Sequence, residues 1–160
     1  MNILIKSFLI LIVFIQLFTI SLNGQNNNDS LSENSIYIDA SNLIITGSYS
    51  INYEKVIYHA DNLVSNVNVG FGRWYLLTHE HPETATTIPL SLNLLLGNKK
   101  FVEVDIGYRI IFVDNPNTFK KVDKYAILNI GYRYQNFKSD LLFRAYIGIT
   151  GVGLSIGKCF

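Results

Sequence analysis

Two groups of residues in this chain carry enough chemistry to build a site. The first is a set of three acids and three bases: Glu54, Glu103, Asp105, Arg109, Arg133 and Arg144. Carboxylate and guanidinium make short, two-pronged hydrogen bonds when their planes meet, so this set suits an ion-paired network. The second is His79-Glu-His-Pro-Glu83. Two histidines at i and i+2 with nearby carboxylates are of the right type for a zinc-like ion, but no third ligand follows at a fixed spacing. That cluster reads as a solvated loop, with no metal and no cofactor expected. Thr78, His79 and His81 offer hydroxyl and imidazole groups for a nucleophile and a base, but no serine–histidine spacing accompanies them. His59 sits near a short turn and reads as surface.

The elements that must position these residues are strands. In residues 101–112 the large apolar side chains fall on every second position (Val102, Val104, Ile106, Tyr108, Ile110, Phe112), and Glu103, Asp105, Gly107 and Arg109 alternate with them. A period of two is the mark of a strand with one apolar and one polar face. Seven further segments repeat it. Ile36, Ile38 and Ala40 share a face of the first; the others cover 47–57, 63–75, 86–96, 125–135, 141–149 and 152–160. The connections alternate in length. Long polar loops at 78–84 and 114–123 lie on one side, and short turns on the other, as in barrels with outer loops and periplasmic turns.

Composition narrows the classes. The chain has 160 residues with 13 Lys and Arg against 12 Asp and Glu. Such balance argues against a nucleic-acid surface. Charged residues are 16% of the chain, below the roughly 25% of soluble domains. One cysteine, Cys159, excludes an internal disulfide. Residues 1–24 have the form of an export signal: Lys6, then an apolar run from Phe8 to Ile20, then small and polar residues. Residues 25–34 are rich in Asn and Ser and read as a linker, leaving 35–160 as the folded unit.

Which face points inward follows from glycine. The polar face holds Gly70, Gly107, Gly131, Gly148, Gly153 and Gly157. Glycine in a strand usually marks crowding or close backbone approach, and an eight-stranded barrel is only just wide enough for its side chains. A soluble lipocalin-like barrel or a sandwich would put this face in water. The reading is therefore an all-β, closed, antiparallel, eight-stranded transmembrane up-and-down β-barrel. The six charged residues then form an interior network that plugs it, with Glu103 near Arg133 and Arg109 farther along. Tyr53, Tyr132, Tyr134 and Phe160 fall near one membrane edge, Tyr75 and Phe112 near the other.

The segments Tyr49-Ser-Ile-Asn-Tyr-Glu54, Ile88-Pro-Leu-Ser-Leu-Asn-Leu-Leu-Leu-Gly97 and Gly131-Tyr-Arg-Tyr-Gln135 resemble those of small eight-stranded outer-membrane barrels. These include OmpX, the transmembrane domain of OmpA and a family of short, uncharacterised Gram-negative barrel proteins. The resemblance spans residues 35–160. It implies an outer-membrane location after export, contact with outer-membrane lipid, and loops 78–84 and 114–123 available to surface partners. Phe160, preceded by Ile156, Leu154 and Val152, resembles the terminal signal read by the barrel assembly machinery, although Lys158 stands where an aromatic is usual. The expected role is structural or surface contact without catalysis. The alternatives are a lipid-modifying enzyme of the small-barrel type and a lipocalin-like barrel.

Overall fold

The computed structural model describes residues 32–43, 46–60, 62–76, 83–97, 100–113, 121–136, 140–149 and 151–160. The export signal at 1–24, most of the linker and most of both long loops lie outside them. Eight strands follow in chain order: β1 (Asn34–Leu43), β2 (Thr46–Ala60), β3 (Leu63–Leu76), β4 (Glu83–Gly97), β5 (Lys100–Val113), β6 (Lys121–Asn136), β7 (Leu141–Gly148) and β8 (Gly151–Cys159). Each pairs antiparallel with the next, and β8 returns to β1, so the sheet closes into a barrel. The final residue joins the closure: Asn34 N–H donates to the Phe160 carbonyl at 3.1 Å, and Phe160 N–H to the Asn34 carbonyl at 2.9 Å. Full closure leaves no strand edge open to pair elsewhere.

Three strands begin two or more residues earlier than the apolar pattern indicates. β4 starts at Glu83 and β6 at Lys121, so residues 83–84 and 121–123 belong to strands rather than to loops. β1 starts at Asn34, inside the segment read as linker. The cause is the ladder itself. Leu76 pairs with Glu83 and Val113 with Lys121 through backbone groups, which need no apolar side chain to continue. Gly97 (φ 137°) and Gly151 (φ 107°) take left-handed backbone at turns, where glycine pays no Cβ penalty.

The two faces invert the usual order of a soluble domain. Arg133 on β6 is 1% exposed, whereas Ile130, three residues earlier on the same strand, is 55% exposed. Among the described residues, 27 large hydrophobic side chains are exposed. The buried polar and charged set comes from all eight strands, from Ser35 and Asp39 on β1 to Ser155 on β8.

The inward face is not polar from end to end. At the end where β1 begins and β8 finishes (the termini of the barrel) the lumen is closed by Val64, Leu95, Phe101, Leu142 and Cys159, each at most 1% exposed. Near the other end Ala85 and Ile111 are buried inward. Along β5 the inward residues run Phe101, Glu103, Asp105, Gly107, Arg109, Ile111, so the charges lie between two apolar layers. The inward glycines also receive rings. Tyr37 pairs directly with Gly157 and Tyr146 with Gly153, and a Cβ at either glycine would collide with its tyrosine.

Candidate functional site

Glu54 is the hub of the lumen. β2 projects it inward, and Arg133 reaches it from β6 with both terminal nitrogens, Nη2 to Oε1 at 2.6 Å and Nη1 to Oε2 at 3.0 Å. Three neutral donors complete its shell: Asn66 Nδ2 to Oε1 at 2.8 Å, Asn93 Nδ2 to Oε2 at 2.6 Å and Ser35 Oγ to Oε1 at 3.1 Å. One carboxylate thus ties β1, β3, β4 and β6 to β2. Removing two charges from water is costly, and a buried pair recovers that cost only when its remaining lone pairs are also satisfied. Here they are.

The second pair is Arg144 with Glu103. Arg144 Nη2 lies 2.6 Å from Glu103 Oε1, and its Nε donates to Oε2 at 2.9 Å. The guanidinium also lies 3.8 Å from Asp105 and stacks over the Tyr37 ring at 4.9 Å, with Tyr146 at 5.5 Å. Asp105 Oδ2 accepts from Asn129 at 3.1 Å. Arg133 and Arg144 are directly opposite across β6 and β7. Like charges in such a pair repel, and each guanidinium turns to its own carboxylate.

Glu103 is a diagonal neighbour of Arg133 across β5 and β6, near it as expected, but the register gives each a different ion-pair partner. Phe101, not Glu103, is opposite Arg133, and Glu103 is opposite Gly131. Arg133 therefore takes Glu54 across the lumen, and Glu103 takes Arg144. Arg109 lies farther from the termini, as expected, and donates to Ser48 Oγ at 2.8 Å; among the described residues it makes no ion pair. So five of the six residues form two ion-paired centres, and the sixth is held by a hydroxyl.

The sequence reading missed Asp39. It accepts from Tyr146 Oη at 2.9 Å and from Ser155 Oγ at 2.6 Å, linking β1 to β7 and β8. The signal was present, since Asp39 alternates with Ile38 and Ala40 on the polar parity of β1. With Asp39 the described residues buried in the lumen include four acids and three bases. Beside these groups is a cavity of about 20 Å³, enough for a single water-sized guest. Tyr37 Oη, Asn68 Oδ1, Asp105 Oδ1 and Arg109 Nε, from residues that line it, have no protein hydrogen-bond partner.

Val152, Leu154, Ile156 and Phe160 occupy one outward face at the end of the chain, each more than half exposed. Thr78, His79 and His81 fall outside the described residues. No group of three or more His, Cys, Asp or Glu suited to a metal occurs among the described residues. Together the fold and its interior define a closed eight-stranded antiparallel barrel with an ion-paired lumen. Compared with family models, curated proteins and solved structures, the chain matches none of them.

Proposed function

We infer that this protein is a small outer-membrane barrel of a Gram-negative cell, delivered by its N-terminal export signal. Its role is structural or surface contact, not catalysis. The observation that carries this reading is the outward wall, where Ile38, Phe71, Ile130, Ile147 and Ile156 are all more than half exposed. Soluble monomers rarely expose contiguous apolar patches beyond a few hundred Å². In lipid, a closed barrel satisfies every strand edge internally, which is the condition for crossing a bilayer with strands. β2 to β6 are each 14 to 16 residues long, beyond the 9–11 residues a tilted strand needs to cross.

The ion pairs that span the lumen between apolar layers support a plug in preference to a channel. The cavity beside them, about 20 Å³, is itself too small for a solute stream or a lipid substrate. The polar connections are then the parts available to partners outside the cell, and the alternation ending at Phe160 fits recognition by the barrel assembly machinery. The deciding experiment is fractionation of cells expressing the full chain, with gel mobility of heated and unheated samples. The mature protein should co-sediment with the outer membrane and run faster unheated, as a compact barrel. Recovery in the soluble periplasm would overturn the reading.

A further inference from the structure

Charge on the outward wall has one sign. Among the described side chains of the strands, every charged residue on the outward parity is a cation: Lys55, Lys100 and Lys158 at the end carrying the termini, Arg73 and Lys124 at the other. The acids of the strands, Asp39, Glu54, Glu103, Asp105 and Asp123, occupy the inward parity.

The three lysines are also spaced. They come from β2, β5 and β8, which lie three, three and two strands apart around the closed ring. Each has an aromatic residue beside it on the same face. Lys55 is two residues from Tyr53, Lys158 is two residues from Phe160, and Lys100 pairs across the ladder with Tyr134. Tyr53 is fixed by its own hydrogen bond to Asn34 Oδ1 at 2.6 Å. Lys158 lies 3.7 Å from Asp140, but both side chains are well exposed, and such a pair is weak. At the opposite rim Arg73 donates to Thr86 Oγ1 at 3.2 Å and Thr84 Oγ1 at 3.3 Å, and among the described side chains Lys124 is the other outward cation.

A lysine on an apolar wall lays its methylenes along the wall and lifts its ammonium to the interface, where aromatic rings also reside. The chemistry that meets this arrangement is a phosphodiester above acyl chains. We propose that the rim bearing the termini is a collar for anionic phospholipid. Each ammonium takes a lipid phosphate, and the neighbouring ring packs on that lipid's chains. This rests on the membrane reading above and adds to it a lipid class and a rim.

The test uses the full mature chain, folded into vesicles of phosphatidylcholine containing spin-labelled phosphatidylglycerol or spin-labelled phosphatidylcholine. Flotation is measured first, then the share of each label immobilised by the protein. Wild type should favour phosphatidylglycerol by up to about fivefold per lysine site, and the preference should shrink at high salt. The triple variant Lys55→Gln, Lys100→Gln, Lys158→Gln should lose it, the triple Lys→Arg variant should keep it, and Arg73→Gln with Lys124→Gln should leave it nearly unchanged. A floating protein without preference, a triple Gln variant that retains it, or equal loss on altering the opposite rim would overturn the collar alone. A folded chain that fails to float would overturn the membrane reading itself, and the collar with it.

Discussion

Two layers of the lumen hold buried charge in different ways. In the layer nearer the termini, Glu54 accepts five hydrogen bonds from four residues, and Glu103 is gripped by Arg144. In the layer beyond it, Asp105 and Arg109 each keep one buried polar atom without a protein partner, and a small cavity adjoins them. Both layers are built from the same residue types on the same strands. The difference is in pairing, since the nearer layer also keeps an arginine nitrogen, Arg133 Nε, without a protein partner. There each guanidinium meets a carboxylate at 2.6 Å, whereas Arg109 is held by a hydroxyl. A buried charge held by an opposite charge resists change and fixes the register of the strands around it. One held by a hydroxyl beside a cavity has room to be altered cheaply.

The sharpest way to break this contrast is Glu54→Gln. It strands Arg133 in a dry layer, and a guanidinium cannot shed its charge. Loss of about 3–5 kcal/mol is expected, read as the shift in urea midpoint for the barrel in detergent or bilayer. Replacing Glu54 and Arg133 together by leucine should recover much of that loss. A double variant as damaged as the single would mean that the neutral donors, not the ion pair, dominate the layer.

Arg144→Leu is expected to cost somewhat less, about 3 kcal/mol, because stranded carboxylates can be neutralised by a proton whereas a stranded guanidinium cannot. The same urea titration measures it. A cost above that of Glu54→Gln would make Arg144 the true hub, through its contacts with Tyr37 and Tyr146.

Tyr146→Phe removes one donor from Asp39 and leaves the Ser155 hydroxyl in place. About 1.5–3 kcal/mol should be lost, the range for a buried hydrogen bond to a charged group. The smallest effect belongs to Arg109→Gln. Arg109 makes no ion pair among the described residues and lies beside the cavity, so about 1 kcal/mol or less is expected. If this change cost as much as Glu54→Gln, the two layers would be equivalent and the contrast would fail.

What the sequence left open has physical causes. Alternation in 101–112 identified β5 and its inward face, yet it left open which guanidinium each carboxylate would meet. A hairpin joins the strands of Glu103 and Arg133 and does place them near each other. The register then set Phe101 opposite Arg133, and the shortest ion pair ran across the lumen to β2 instead. The apolar ends of the lumen were written in adjacent apolar residues at strand ends, Leu94-Leu95-Leu96, Phe101-Val102 and Leu141-Leu142. Such runs mean that the inward parity has turned apolar too.

What the sequence determined by itself is local and periodic: eight strands, their approximate bounds, and the face of each that turns inward. A two-residue repeat assigns every side chain of a strand to one side or the other, so a single apolar face orients the rest. Only the tertiary structure decided the partners. Glu54 and Arg133 are 79 residues apart, and Asp39 and Ser155 are 116 apart. Those contacts depend on the register of every strand between them and on the width of a closed ring. No pattern within one strand carries either quantity.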